Sequence, residues 1–379
     1  MAALPPPVAA IRVAVRRALS GVPRNRPVLV ACSGGADSLA LATGVAFVAP
    51  RLGVPAGLVT VDHGLQEGSA GRAADVARWA TGQGLAPIEV ATVQVAGRPG
   101  GPEAAAREAR YSALVEAARR YDASTVLLGH TRDDQAETVL LALARGAGPR
   151  GLAGMPASRE YAGVTLARPL LEITREQTRK ACALLGLTPW EDPHNTDDRY
   201  ARARVRSDVL PVLIRALGPG VLDNLARTAR LAAEDGAALD DLARAGYAEA
   251  RIPAAGAGTV AGPGLAGGAG GVADSGLAGG PGTVADPDST AGAGSLVGPG
   301  STGGVADGLA VPVLAGMPPA VRTRVLHLWC RELGAPPAAL SYRHIAALNA
   351  LVTAWRGQGA THLPGGIRAT RRGGMLIAE

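Results

Sequence analysis

The chain has 379 residues, with 38 Lys or Arg against 32 Asp or Glu, and a formal net charge of +6 at pH 7 with histidine neutral. Although 47% of the residues are hydrophobic, no apolar run reaches the roughly 20 residues of a membrane-spanning helix, which argues against a helical membrane protein. Three cysteines, Cys32, Cys182 and Cys330, stand far apart with no CxxC pair, so zinc, iron–sulfur and dithiol chemistry have no motif and each cysteine reads as a small buried residue.

Such a length accommodates two domains, one of them large. Lys180 is the single lysine; an arginine excess fits a polyanionic partner such as RNA, and equally fits a compositional bias. The opening MAALPPPVAAIRVAVRRALS holds three prolines and no basic residue ahead of its apolar part. It makes a poor signal peptide, and the cytoplasm is the expected location.

Helical spacing over Ile11 to Leu19 predicts a helix that leads into a short apolar run, Val28 to Cys32, with the length and β-branched content of a strand buried on both faces. Next come Ser33, Gly34, Gly35, Ala36, Asp37 and Ser38, and then a helical pattern from Leu39 to Val48. The order is strand, glycine loop, helix. Gly34 and Gly35 allow successive N–H groups to turn toward one anion, and the helix start adds its own unpaired N–H groups and dipole. Ser33 and Ser38 can donate to phosphate oxygens, and Asp37 can hold the magnesium that accompanies a nucleotide. No Gly-Lys-Ser/Thr follows, so this is not the P-loop of kinases and GTPases. It resembles the PP-loop of the ATP pyrophosphatases, which cleave ATP between its α and β phosphates; an ordinary βα turn with two glycines is the alternative.

Pro50 to Pro55 reads as a break, and Gly57 to Val61 as a second strand ending in Asp62-His63-Gly64-Leu65. Polar residues at that end of a parallel strand stand where open α/β sheets bind ligands, though a capped turn also fits. Ser69 to Gln83 is a predicted helix, Pro87 to Val95 a third strand, Arg98 to Pro102 a loop and Glu103 to Tyr121 a long helix. Glu103 stands four residues before Arg107, with Arg110 nearly one turn beyond. That spacing fits a salt bridge on a solvated face, or a pair of arginines over phosphates or an RNA backbone.

Ser124 to Leu128 forms the fourth strand and runs into Gly129-His130-Thr131-Arg132-Asp133-Asp134-Gln135-Ala136-Glu137-Thr138. A helix from about Asp133 places Glu137 one turn beyond it on nearly the same face. Carboxylates so clustered beside an ATP site can bind a second metal, bind an ammonium group or accept a proton; capping by Asp133 is the plainer account. The helix continues through Val139 to Leu143 into a glycine-rich basic loop, Arg145 to Leu152. Arg168-Pro169-Leu170-Leu171 follows, then a helix over Thr174 to Leu185 and a turn at Trp190 to Asn195. The basic run from Arg199 to Arg206, with Arg202, Arg204 and Arg206 beside Tyr200, can track phosphates or simply start a helix.

Four strands separated by helices predict a parallel, doubly wound, Rossmann-like sheet with the glycine loop at its carboxyl edge. Residues 1–215 form the expected ATP-binding catalytic domain, and 216–252 an alanine-rich helical connector. From 253 to 308 the chain is mostly Gly, Ala, Ser, Pro, Val and Asp, and is expected to be a flexible insertion. A small α+β module fills 309–379, with helices over Pro318 to Leu333 and Ser341 to Trp355 and strands Ile367 to Arg372 and Met375 to Ala378 around Gly373-Gly374.

Taken together, CSGGADS, VDHGL, EAAAREARY, GHTRDDQAETVLLALARGAGPRGLAGM, RPLL and WEDPHNTD occur in the order found in one family. From Val28 to about Pro211, and again in the tail LPGGIRATRRGGML, the chain is similar to the tRNA(Ile)-lysidine synthases. The resemblance implies an adenine nucleotide alpha hydrolase-like fold and a two-step ligation at the wobble cytidine of an isoleucine tRNA with a CAU anticodon. ATP adenylates the 2-oxygen of the base, and L-lysine then displaces AMP through its ε-amine. It assigns ATP to the loop from Ser33 to Ser38 together with Asp62, His63 and His130, and magnesium to Asp37. It assigns catalysis to Asp37, Asp133, Asp134, Glu137, Arg107 and Arg110, and tRNA contacts to Arg199, Arg202, Arg204 and Arg206. A homodimer is a further expectation. Two departures stand out: Arg202-Ala203-Arg204 replaces the usual Arg-Asn-Arg, and the low-complexity insertion has no assigned role. A tRNA thiolase is the rival enzyme, but it would need paired cysteines; a noncatalytic ATP-binding protein is the rival of another class.

Overall fold

The computed structural model describes residues 4–64, 68–93, 102–192, 197–252 and 308–379. Leu65, residues 98–101 of the expected loop, Pro193-His194-Asn195 and the insertion as far as residue 307 lie outside the described residues. Among the described residues no single helix is long and apolar enough to cross a membrane.

Helix α1 (Pro6–Leu19) begins earlier than the spacing suggested, because proline is well suited to a first helical turn, where its missing N–H leaves no bond unmade. Its stripe Val8, Ile11, Val15 and Leu19 is buried at helical spacing. Strand β1 (Val28–Ala31) leads through the glycine loop to α2 (Ala36–Leu52). Within the break expected over Pro50 to Pro55 the helix ends at Gly53: Pro50 is accommodated in the last turn, and Gly53, at φ 67°, donates its N–H back to the carbonyls of Ala49 and Pro50. Then follow β2 (Ala56–Asp62), α3 (Ser69–Gly82), β3 (Ile88–Thr92), α4 (Pro102–Arg120), β4 (Thr125–Leu128) and α5 (Arg132–Ala144). The glycine-rich basic loop contains one helical turn, α6 (Pro149–Leu152).

A hairpin absent from the sequence reading comes next, β5 (Ser158–Tyr161) and β6 (Val164–Ala167), turning at Ala162 and Gly163, which both have positive φ. The sheet order is β3-β2-β1-β4-β6-β5, parallel except for the β5 edge. Direction of travel reverses between β1 and β4, so the loops leaving those two strands flank a topological switch point. Both faces are covered: α1, α2 and α7 (Arg175–Leu184) pack on one around Val30, Leu41 and Leu58, and α4 on the other around Leu29, Leu114 and Val126. Burial on both sides is why these strands are continuous apolar runs rather than alternating ones.

The basic run forms the turn α8 (Ala201–Arg204), a π-helical turn at Val205–Val209 and α9 (Leu210–Leu217). Helix α10 (Val221–Ala250) follows, and the boundary between two compact units falls within it, between Glu234 and Asp235. In the second unit β7 (Arg251–Ile252) and β8 (Gly308–Ala310) precede α11 (Val311–Gly316), α12 (Pro319–Glu332), α13 (Tyr342–Thr353) and strands β9 (Thr361–Leu363), β10 (Ile367–Arg372) and β11 (Met375–Ala378). Its antiparallel sheet runs β7-β8-β11-β10-β9. The hairpin expected around Gly373-Gly374 is therefore the centre of a five-stranded sheet, which encloses Leu309, Leu314, Val325, Trp329, Leu348 and Leu376 with the helices.

Close strand approach makes one position intolerant of a side chain. A Cβ on Gly57 would lie 2.3 Å from the Pro87 carbonyl oxygen and 2.9 Å from Leu29 Cδ2. Gly57→Ala is expected to lower the unfolding free energy by about 2–3 kcal/mol in urea denaturation, whereas Gly21→Ala, with nothing within 4 Å, should change it by no more than about 0.5 kcal/mol.

Candidate active site

The loop between β1 and α2 is braced from within. Ser38 Oγ donates to the Gly35 carbonyl at 2.9 Å and accepts from the Ser33 N–H at 3.2 Å. The hydroxyl expected to donate to phosphate thus shapes the loop. Gly34 sits at φ +84°, a conformation open to glycine, and its carbonyl accepts the Trp190 N–H at 2.9 Å. The indole of Trp190 lies 4.3 Å beneath the Arg72 guanidinium carbon. At the end of β4, a Cβ on Gly129 would come within 3.1 Å of Ser38 N and Cα. Glycine there lets the two loops of the switch point touch through their backbones, while the N–H groups that open α2 remain available to an anion.

Beside this loop lies a knot of charge. Arg175, the first residue of α7, donates from Nη2 to Asp134 Oδ1 at 2.8 Å and from Nη1 to Glu137 Oε1 at 3.2 Å, with Nε 3.8 Å from Asp37 Oδ2. Its backbone N–H donates to Asp133 Oδ2 at 2.8 Å. Burial would lower the Arg175 pKa, but Asp134, Glu137 and Asp37 outweigh that and raise it. Glu137 is fully buried and also receives Arg206, from Nε to Oε1 at 2.9 Å and from Nη2 to Oε2 at 3.2 Å. Both its oxygens are therefore occupied by guanidinium donors. Asp134 in turn accepts from the Thr131 N–H at 2.7 Å and the Thr131 hydroxyl at 2.8 Å, so the cap of α5 is built by Asp134, not by Asp133 as the plainer sequence account had it. Burial tends to raise the Asp134 pKa, yet Arg175, His130 and those Thr131 bonds hold it below the ordinary value. Asp37 behaves oppositely: burial pushes its pKa up to about 6, against the lowering effect of a short hydrogen bond from the Thr178 hydroxyl. Oδ1 of Asp133 makes no hydrogen bond among the described residues.

A second cluster, of positive charge, surrounds Tyr111. Arg107 donates to the Tyr111 hydroxyl at 3.2 Å, and Arg110 and Arg159 also lie over the Tyr111 ring. Burial raises the Tyr111 pKa less than Arg107, Arg110, Arg168 and Arg159 lower it. His130 is pushed down to about 3 by burial, helped by Arg168, Arg110 and Arg107 and opposed by Asp134. His63 is lowered by burial and by Arg110. Both imidazoles keep a buried Nδ1 without a hydrogen-bond partner. Asp62 is held below the usual range by the Ser69 hydroxyl and the Gly64 N–H.

The loop, the acids, Arg110 and Tyr111 line one open cavity of about 1010 Å³, which Asp37, Asp62, His63, Arg110, His130 and Asp133 all reach, whereas Arg107, Arg159 and Arg168 are not among its lining residues. Asp134, Arg175 and Arg206 also border it, and Glu137 does not. Of the basic run, Arg202 reaches Thr138 Oγ1 on α5 at 3.4 Å, Arg204 binds the carbonyls of Asp198 and Arg199, and Arg199 pairs with Asp197. Only Arg206 is brought into the acidic knot.

Residues 11–213 match the PP-loop domain family, and residues 309–376 match the TilS substrate binding domain. The tRNA(Ile)-lysidine synthase of Salinispora arenicola is 62% identical over 376 residues, covering 99% of this chain and 97% of that one. The proteins of the same description from Salinispora tropica and Thermobifida fusca are 61% and 48% identical, covering 100% of this chain and 98% and 99% of theirs. The chain belongs to the tRNA(Ile)-lysidine synthase family.

As a tRNA(Ile)-lysidine synthase family member it is a ligase that uses ATP to form a C–N bond. The loop and the acids are plain in the motifs; Arg175, Thr178 and Arg72, which help arrange them, are not, and the Trp190 turn carries no sign that its N–H meets Gly34. The local trace of Arg175 and Thr178 is Thr174-Arg175-Glu176-Gln177, a capping box in which the Thr174 hydroxyl accepts the Gln177 N–H at 3.1 Å; it locates the helix start and says nothing of what Arg175 meets.

Arg175→Met is expected to lower stability by about 3 kcal/mol in urea unfolding, because it leaves Asp134 and Glu137 short of a buried counter-charge; Arg199→Ala at the exposed Asp197 pair should stay within about 0.5 kcal/mol. His130 supplies a pH test. Its folded pKa near 3 lies below the unfolded value of 6.5, so between these values the unfolded chain binds a proton that the folded chain does not, and stability falls as pH drops through 6.5. His130→Gln should remove up to about 1.4 kcal/mol per pH unit of that slope, read from urea midpoints between pH 4 and 7.

Proposed function

We propose that this ligase modifies the wobble cytidine of an isoleucine tRNA with a CAU anticodon, using L-lysine as the amine. What supports this beyond family membership is that an anion-binding loop and a carboxylate knot share one cavity at the switch point. The cytosine 2-oxygen attacks the α phosphorus of ATP and pyrophosphate leaves; the lysine ε-amine then attacks C2 and AMP departs, making one C–N bond as the C–O bond breaks.

Phosphates are assigned to Ser33, Gly34, Gly35, Ala36 and Ser38 and to the start of α2, with Asp62, His63 and His130 lining the nucleotide's end of the cavity. Magnesium commonly takes one or two protein carboxylates and completes its shell with phosphates and water. Asp37, which borders the cavity beside the glycine loop, fits that shared arrangement. Bound there, the ion would neutralise phosphate charge. Asp133 and Asp134, which border the cavity, are assigned to the lysine ammonium. Glu137 is assigned a positioning role, since its oxygens hold Arg175 and Arg206. A protonated amine is no nucleophile, so Asp133, with its unengaged Oδ1, is our candidate to take the proton, directly or through water. Arg107 and Arg110 would face phosphate or RNA, and Arg199, Arg202 and Arg204 the tRNA. Such a reaction belongs in the cytoplasm. The homodimer expected from the resemblance is open to sedimentation velocity.

The test is incorporation of radiolabelled lysine into a CAU-anticodon isoleucine tRNA transcript with magnesium–ATP, beside an elongator methionine tRNA. Label in the isoleucine tRNA alone, with AMP released, is expected; AMP release without label would overturn lysine as the nucleophile. Asp37→Ala should reduce AMP formation by roughly a hundredfold or more, and Asp133→Asn should raise the lysine KM or lower kcat while ATP binding persists.

A further inference from the structure

A second concentration of positive charge lies away from the acidic knot. Residues 1–61 contain six arginines and a single acid, Asp37, and Asp37 is committed to the cavity. Arg12 on α1 and Arg51 on α2 place their guanidinium carbons 3.3 and 3.5 Å from the centroid of Phe47, the one phenylalanine of the chain. Two guanidinium groups at those distances fit only on opposite faces of the ring. Arg16 stands one turn beyond Arg12 on the same side of α1 and is exposed. Among the described residues none of Arg12, Arg16 and Arg51 has a carboxylate within ion-pair distance. A shield for one aromatic ring needs a single arginine; two stacked cations and a third beside them repel one another unless an anion is present.

The row also has a direction. Arg17, next to Arg16, pairs with Glu172 at 3.7 Å, and Glu172 stands three residues ahead of Arg175, which borders the cavity. The uncompensated charge thus begins beside the segment that carries Arg175 into the site and continues along α1 to the end of α2.

We infer that the face formed by Arg12, Arg16 and Arg51 binds the phosphodiester backbone of the tRNA outside the anticodon loop. This rests on the proposed tRNA substrate and adds a surface that the motifs do not include. Arginine suits the task because its planar fork binds phosphate oxygens in pairs while its stem covers the Phe47 ring. Charge of one sign, without a carboxylate partner among the described residues though Arg51 Nη1 donates to the Phe47 carbonyl at 2.5 Å, and arranged in a row, matches a polyanion with regularly spaced phosphates.

The experiment uses the full chain with Arg12→Gln, Arg16→Gln and Arg51→Gln combined, and separately with Arg16→Gln alone, a side chain that makes no contact with Phe47. Fluorescence anisotropy of labelled isoleucine tRNA is followed between 50 and 200 mM salt. Each lost phosphate contact should reduce the slope of log Kd against log salt by about 1, so the triple variant should lose roughly 2–3 and bind at least tenfold more weakly at 100 mM salt. Arg16→Gln alone should lose about 1, which keeps the test open if the triple variant folds poorly. KM for ATP, and kcat at saturating tRNA, should match the unaltered protein. An unchanged slope in both variants, with the unaltered protein modifying the tRNA, would overturn the surface and leave the proposed function standing. If the unaltered protein neither binds nor modifies the tRNA, both fall. Loss of binding to phosphatidylglycerol vesicles with the tRNA slope intact would also overturn it, in favour of a membrane surface.

Discussion

One guanidinium, that of Arg175, ties three distant stretches of chain into a single site. It meets Asp134 and Glu137 on α5 and lies near Asp37 in the glycine loop, while its own backbone N–H engages Asp133. Without this cation four carboxylates would converge at partly buried positions, and mutual repulsion would drive them to protonate or to separate. With it, Asp134 stays ionised, Glu137 is locked between two arginines, and the beginnings of α2, α5 and α7 are drawn together. The burial that makes the arrangement costly also makes each contact strong.

From that knot the cavity is polarised. Asp133 and Asp134 border it from α5 and Arg110 beside Tyr111 from α4, with Arg107, Arg159 and Arg168 clustered about Tyr111, and burial disfavours the charged form of both His63 and His130. A ligase joining a phosphate-activated base to an amine needs both signs of charge close together: cations and N–H groups where negative charge leaves as pyrophosphate or AMP, and carboxylates where a cationic amine arrives. The parallel sheet makes this possible, because the loops after β1 and β4 leave its carboxyl edge at the switch point and Gly129 lets them come within contact of each other.

Much of this was legible in the residues, and the exceptions share a cause. The apolar runs of β1, β2 and β4 announced a sheet buried on both sides, and the glycine loop announced its ligand class. The β5–β6 hairpin was not legible, since SREY and VTLA are too short for their alternation to register and the turn at Ala162-Gly163 carries no Asn-Gly or Asp-Gly signal. Glu137 looked equivalent to Asp133 and Asp134 in a spacing argument. Arg175 and Arg206, from 38 and 69 residues away, take both oxygens of Glu137 in full burial away from the cavity, whereas Asp134, also paired with Arg175, and Asp133 border it.

By itself, then, the sequence determined the nucleotide-binding loop, the α/β class and the family, because each is encoded in contiguous residues whose backbone freedom, periodicity and order are local properties. The tertiary structure decided which carboxylates are engaged, which hydroxyls brace the loop rather than donate to a ligand, and where arginine charge goes uncompensated. Those depend on burial and on partners brought from elsewhere in the chain, and the electrostatic cost of a charge is set by what surrounds it in space.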